Sequence, residues 1–474
     1  MMNFDRRAFL RRSLHTALGG VGLYTALGNL RVLAAAAQPR GGGSDYRALV
    51  CVFLFGGNDS INTVMPWSAG QYNDYRSSRQ QLIASGGLAF EQAQIQAQSL
   101  NALANGLPGD GGSYGLHPAL SGLRGLFNQG KAAIVANVGT LLHPVTRPQY
   151  QAGTVPVPPQ LFSHSDQSVF WQTSRPDDAN ANGWGGRVAD LLYEQNPGVI
   201  PMAISLAGNN PFQRGAITSS YGMSAGGIDA MSYLGGGPES WVIGANANDV
   251  AAYEALIAEG AQAHLLERAF ADTNRRAIAA YEIVRGALAG QALPVTPFPN
   301  TSLGGQLAMV ARLMKARQAL GMRRQVFFCS VGNYDTHSYQ VDQQEANLGE
   351  LSEALVAFHA ATEELGLGDA VTSFTASDFG RSLGINGDGT DHGWGGHHFV
   401  IGNAVQGQRF YGTMPSLRAS NNPDDTGYGQ IIPTTAVDQY AATLARWLGV
   451  ADTDIADIFP SLVNFSASDL GFMG

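Results

Sequence analysis

Ala48-Leu49-Val50-Cys51-Val52-Phe53-Leu54-Phe55 is an unbroken run of eight apolar residues, and it stops at Gly56-Gly57-Asn58-Asp59-Ser60. Such a run is too short to span a membrane and lacks the polar alternation of a half-exposed strand. It reads as a strand covered on both faces and closed by a turn. Similar short apolar runs recur at 132–138, 200–206, 325–331, 371–376 and 399–401. Between them, 117–129, 186–193, 303–320, 342–365 and 434–448 carry apolar residues at spacings of three and four, the helical period. Gly321 and Gly366 read as helix stops. Strands alternating with helices give an α/β class with a largely parallel sheet flanked by helices. The Ala-rich segment 246–289 breaks the alternation after a glycine-heavy stretch and reads as a helical insertion or cap, within about 207–300.

The chain has 474 residues, 60 of them glycine, and a formal net charge of −9. Lysine occurs only as Lys131 and Lys315, so no basic face for a phosphate backbone is present and nucleic acid is not an expected partner. Cys51 and Cys329 sit inside apolar runs, where a thiol packs as a small hydrophobe. Two cysteines build neither a disulfide framework nor a cysteine zinc site.

The first 37 residues read as an address. Asp5-Arg6-Arg7-Ala8-Phe9-Leu10 precedes a weakly apolar stretch, 13–33, and a run of small residues, Ala34 to Ala37. Charged head, apolar middle and small-residue cleavage site are the parts of an export signal, and the paired arginines resemble the twin-arginine type. The expected partner is the twin-arginine export machinery, and the expected location periplasmic or secreted. Past the signal no apolar run reaches about eighteen residues, so no stable membrane span is expected after cleavage. Residues 38–474 are then read as one domain with the insertion.

The segments just past the strands carry the chemistry. Asp59 comes after the first run; Asp335 and His337 come after the run ending at Val331; Asp378 and Arg381 come after the run ending at Ala376. Thr390-Asp391-His392-Gly393 leads into the final run. Ligand sites in α/β sheets lie beyond the carboxyl ends of the strands, so these groups are expected to converge. Carboxylates and neutral imidazoles are oxygen and nitrogen ligands for zinc, manganese or magnesium. Asp59, Asp335, His337, Asp378, Asp391 and His392 are therefore candidate ligands of a divalent metal. Ser163 and His164, in Phe162-Ser163-His164-Ser165-Asp166-Gln167, are candidate nucleophile-bearing catalytic groups. Arg381 is a candidate partner for an anionic substrate oxygen.

Taken together, the twin-arginine start, Gly56-Gly57-Asn58-Asp59-Ser60-Ile61-Asn62, Phe162 to Gln167, Tyr334-Asp335-Thr336-His337, Ser377-Asp378-Phe379-Gly380-Arg381 and Thr390 to Gly395 resemble the domain-of-unknown-function 1501 family. That family is grouped with the alkaline phosphatase and sulfatase superfamily, which implies metal-dependent hydrolysis on an α/β sheet. By that resemblance Asp59 matches the first strand-end ligand and Asp335 and His337 an Asp and His pair, with one residue between them where the superfamily has three. Phe379 stands where a histidine is expected, and His392 matches the late histidine ligand.

The resulting expectation is an exported metal-dependent hydrolase acting on a small anionic substrate, a phosphate or sulfate ester. One alternative is a non-catalytic exported binding or assembly protein on the same scaffold. Another is a serine esterase, from the likeness of Gly56-Gly57-Asn58-Asp59 to the G-x-N-D block. Gly222-Met223-Ser224-Ala225-Gly226 matches a nucleophile elbow but lacks the strong strand and helix that the elbow needs.

Overall fold

The structure, a computed structural model, describes residues 46–474 other than 179, 197, 229–230, 237–241, 246, 290 and 292–293. The export segment expected over 1–37 lies outside the described residues. Nine strands form the central sheet: β1 (Arg47–Leu54), β2 (Ala132–Gly139), β3 (Ala203–Ser205), β4 (Tyr221–Gly222), β5 (Arg324–Val331), β6 (Val371–Ser377), β7 (Gly396–Ile401), β8 (Phe410–Tyr411) and β9 (Thr435–Ala436). Their order is β8-β2-β7-β6-β1-β5-β3-β4, with β9 also paired to β2. Among the described residues of this sheet β7 alone runs against the rest. The sheet is therefore largely parallel, as expected. Among the described residues no helix is long and apolar enough to cross a membrane.

Side-chain alternation along β1 shows why its run has no polar positions. Ala48, Val50, Val52 and Leu54 enter one core, and Leu49, Cys51 and Phe53 enter the other. The first core is closed by helices α1 (Ser121–Asn128), α2 (Ser302–Lys315) and α3 (Gln340–Glu364), through residues such as Leu126, Leu307 and Leu351. The second is closed by α4 (His164–Thr173), α5 (Trp184–Leu191) and α6 (Val437–Leu448), through Trp171, Trp184 and Tyr440. Cys51 and Cys329 are buried and free, one in each core.

Helix α3 shows the sequence logic at its clearest. Leu348, Leu351, Leu355 and Phe358 are buried at helical spacing, and Gly366, at φ +67°, supplies the left-handed residue that ends the run. Helix α2 stops at Lys315, short of the expected 320, and the chain continues in turns to Gly321 at φ +68°. The segment expected as an insertion forms helices Ala247–Ile257 and Leu265–Ala289. Val284 and Leu288 of the second are buried in the first core, so its carboxyl half packs on the domain itself.

Register fixes the position of the site. Leu54 of β1 lies opposite Ser377 of β6 on one side and Val331 of β5 on the other. The loops after these three strands therefore leave the sheet at one level. A hairpin, Arg381–Asn386 paired with Gly389–His392, rises between β6 and β7 above the same edge.

Candidate metal centre

Three side-chain atoms from separate parts of the chain meet at this edge. Asp335 Oδ1 lies 3.3 Å from His392 Nε2 and 3.4 Å from His164 Nε2, and the two imidazole nitrogens are 3.0 Å apart. Metal bonds of about 2.0–2.1 Å arranged tetrahedrally separate neighbouring ligand atoms by roughly 3.3–3.4 Å. The observed spacing is that of a ligand set. His337 Nε2 joins from the side, 3.0 Å from both Asp335 Oδ1 and His392 Nε2.

Local structure aims each group. His164 opens α4, and Phe162, two residues earlier, sits at φ +70°. Asp335 and His337 lie in the loop after β5. That loop passes so close to Gly56, at φ +116°, that a Cβ there would sit 2.4 Å from the Asp335 amide nitrogen. His392 ends the hairpin strand, and the hairpin turn lies against the His337 backbone. A Cβ on Gly389 would meet the His337 carbonyl carbon at 2.3 Å. Gly56 and Gly389 are where side chains would push the cluster apart.

The outer partners set the protonation pattern. Phe162 O accepts from His392 Nδ1 at 2.6 Å. Because a carbonyl only accepts, Nδ1 carries the hydrogen and neutral His392 turns its Nε2 lone pair to the cluster. Asp378 Oδ2 accepts from His164 Nδ1 at 2.7 Å, with the same result for neutral His164. This carboxylate or carbonyl backing is the usual outer shell of metal-bound histidine. Two lone pairs 3.0 Å apart, facing a carboxylate oxygen, repel unless positive charge stands among them. A proton on His164 satisfies one of these contacts; a divalent cation satisfies all three. The donor set therefore fits a metal.

Acidity follows the same arrangement. The Asp378 hydrogen bond raises the His164 pKa above the usual histidine value despite burial. Burial lowers that of His392, outweighing its bond to Phe162 O. Burial opposes ionisation of Asp335, but the hydrogen bond and charge of Arg381, with His164 and His337, hold its carboxyl below the ordinary range.

Arg381 is 0% exposed at its side chain, against 43% for Asp335. Its Nη1 donates to Asp335 Oδ1 at 2.5 Å and to Gly56 O at 3.2 Å, and Nε and Nη2 donate to the Thr390 hydroxyl and carbonyl. Arg381, expected to pair an anionic substrate oxygen, has a protein partner at every guanidinium nitrogen and holds the Asp335 carboxylate.

The other candidates separate clearly. Asp59, expected as a ligand, lies outside the three-residue cluster. Its Oδ1 accepts from buried Arg79 at 2.5 Å and from the amides of Ile61 and Asn62, and its Oδ2 accepts from Gln340 Nε2 at 2.5 Å. The strand-end turn forces this, because the same carboxylate caps the short helix Ser60–Thr63. Gln340 continues through Thr390 to Arg381, so Asp59 supports the cluster from behind. Asp378 stands one layer back, accepting from Gly56 N at 3.0 Å and from His164. Asp391 Oδ1 accepts from Asn386 and lies 3.5 Å from His337 Nδ1, outside the cluster. The Ser163 hydroxyl donates to Asp166 Oδ2 at 2.5 Å. His164, expected as a catalytic group, meets Asp335 and His392 in the cluster.

Phe379 packs against the rings of His164 and His392 at 4.7 and 4.9 Å. Where the resemblance expects a histidine at 379, an imidazole arrives from His164 on α4. Nothing in the spacing of His164 to other histidines marks it as a ligand. The structure makes 164–173 a helix that buries Phe170 and Trp171, but an adjacent apolar pair has no helical period, so the sequence carries no signal for it. Next to the site's final strand, His397 and His398 are buried in β7, and burial lowers their pKa values to about 4 and about 3. His397 Nδ1 accepts from the Asn137 amide, so both are neutral packing groups. Ser224 lies in a turn after two-residue β4, bonded to Gly227 O, and is no nucleophile elbow. Asn58 and Asp59, the serine-esterase motif, are buried and bonded to Thr63 and Arg79.

A cavity of about 470 Å³ is bounded by Ile200, Met202, Tyr221, Thr273 and Arg276 and shares no residue with the cluster.

Two solved structures similar to this chain are the lipoteichoic acid synthase LtaP from Listeria monocytogenes and the PsFucS1 sulfatase from Pseudoalteromonas sp.. The first matches at 7% identity and a TM-score of 0.34, covering 91% of this chain and 81% of that one. The second matches at 12% identity and a TM-score of 0.31, covering 87% and 75%. Likeness at this level carries no inference about activity, and the fold class rests on the sheet itself. No curated protein sequence matches. The family model described as a protein of unknown function, DUF1501, matches residues 46–454. That span runs from the residue just before β1 through α6 and includes every group of the cluster, and the chain belongs to the DUF1501 family.

Proposed function

We propose that this chain is an exported metal-dependent hydrolase acting on a phosphate or sulfate ester. The observation that carries the reading is the meeting of His164 Nε2, Asp335 Oδ1 and His392 Nε2 within bonding reach of one cation, two of them oriented by Asp378 and Phe162 O. A divalent metal in such a set acts as a Lewis acid and acidifies water. The protein's own groups supply the rest. Asp378 and the Phe162 carbonyl fix the imidazole tautomers, Arg381 keeps Asp335 ionised, and the Asp59–Gln340–Thr390 chain fixes Arg381. The nucleophile that the metal would activate is a Ser or Thr hydroxyl or water. Export rests on the N-terminal residues, and the ester class on the motif resemblance.

The test is hydrolysis of p-nitrophenyl phosphate and p-nitrophenyl sulfate by the purified chain with zinc, manganese or magnesium. Turnover is expected to need metal and to fall by at least about a hundredfold in His392→Ala and Asp335→Ala. Turnover that survives chelation and both substitutions would overturn the reading. A rival, an exported binding or assembly protein on this scaffold, is favoured by the engagement of every Arg381 nitrogen, which leaves it no free edge for an ester anion. That rival predicts metal binding without turnover.

A further inference from the structure

The three imidazoles of the cluster are not equivalent. His164 and His392 each have Nδ1 in a short hydrogen bond to a partly or fully buried acceptor, 2.7 Å to Asp378 and 2.6 Å to Phe162 O. His337 has no such backing. The acidic group nearest its Nδ1 is the exposed Asp391, at 3.5 Å, beyond an ordinary hydrogen bond. Its side chain is also the most exposed of the three, 44% against 33% and 25%. Yet its Nε2 lies 3.0 Å from Asp335 Oδ1 and from His392 Nε2, at the solvent side of the set. Permanent metal-binding histidines are held by an outer partner that fixes tautomer and ring angle, and an unbacked ring is free to turn away. The Gly389 turn packs against the backbone that carries it, so the motion required is a turn of the side chain.

We infer that His337 is a displaceable fourth ligand. His164, Asp335 and His392 form the lasting set, and His337 closes the coordination position that an incoming anionic oxygen takes when the imidazole swings out. This deepens the metal-hydrolase reading and rests on it. Four protein ligands make a closed site and three leave an open position, so an inward turn of the His337 ring on metal loading would seal the site with the chain's own side chain.

The experiment compares wild-type, His337→Ala and His392→Ala chains loaded with cobalt(II), read by visible absorption while sodium azide or inorganic phosphate is added. Wild type and His337→Ala are each expected to hold about one cobalt per chain, and His392→Ala to lose it. Azide is expected to bind His337→Ala at least roughly tenfold more tightly than wild type, with a larger spectral change. Equal azide affinity in the two chains overturns the proposal while leaving the metal site standing. Loss of cobalt by His337→Ala to the same extent as His392→Ala also overturns it, by making His337 a permanent ligand. A wild-type chain that binds no cobalt overturns both this inference and the metal reading beneath it. Circular dichroism of each variant separates loss of metal from loss of fold.

Discussion

Asp378→Asn separates orienting a ligand from supporting the fold. In the native site Asp378 Oδ2 accepts two hydrogen bonds, from His164 Nδ1 at 2.7 Å and Gly56 N at 3.0 Å, while its buried Oδ1 has no hydrogen-bond partner. An amide placed in the same rotamer keeps its oxygen at the Oδ2 position and accepts both bonds. The charge is lost, and with it the electrostatic support of His164 as a ligand, while the amide NH2 takes the buried Oδ1 position that has no hydrogen-bond partner. Outer-shell changes of this kind cost about 10–100-fold in metal affinity. With zinc at about 100 times the native dissociation constant, binding stabilises the native chain by about 2.7 kcal/mol, and a 100-fold weaker site reduces that to about 0.4 kcal/mol. The metal-free variant is expected to lose no more than about 1–3 kcal/mol, because the unpartnered amide donor costs about that much and relief of the buried charge offsets part of it. Calorimetric zinc titration with thermal unfolding, with and without zinc, reads both quantities. A variant that binds zinc within twofold of wild type would refute the orienting role. A large loss of metal-free stability would show Asp378 to be a structural residue first.

The same contacts give other outcomes. Arg79→Met leaves Asp59 buried without its ion pair, an expected loss of about 3–5 kcal/mol in urea unfolding; unchanged stability would contradict the 2.5 Å pairing. Gly56→Ala forces a residue with a side chain to φ +116° and presses a Cβ against Asp335 N. It is expected to cost roughly 1–3 kcal/mol of stability and to weaken metal binding by more than about tenfold; wild-type metal affinity would count against the loop geometry. Burial raises the Asp438 carboxyl to about 7, against about 3.9 unfolded. Between these values the native state holds a proton that the unfolded state has released, so this group makes stability fall as pH rises from about 4 to about 7. Asp438→Asn keeps the acceptor for Ser174 and removes that slope of up to about 1.4 kcal/mol per pH unit. Unfolding curves at pH 5 and pH 8 with the same variant-to-wild-type difference would contradict it.

The fold was legible where burial dictates composition. A strand sandwiched between two helical layers must be apolar at every position, so β1, β2, β5 and β6 stand out, and α3 carries its core contacts at helical spacing. Weaker signals hid the rest. The hairpin from Arg381 to His392 is short and polar because it stands above the sheet edge, and β7 starts three residues before the apolar run because His397 and His398 are buried with neutral rings. At the site, Asp335 and His392 were visible as polar residues after or before strands. Asp59 has the same sequence setting and a different fate, decided by Arg79, twenty residues on, which nothing in the local pattern reveals. His164 shows the opposite difficulty, because its position depends on the docking of α4, and Arg381's partner depends on the loop after β5.

The most direct test of the metal centre is anomalous X-ray diffraction from crystals of the zinc-loaded chain, collected on both sides of the zinc edge. One strong peak is expected about 2.0–2.2 Å from His164 Nε2, Asp335 Oδ1 and His392 Nε2 together. No peak there, with the three side chains closed on one another through hydrogen bonds in the presence of excess zinc, would contradict the account at its base.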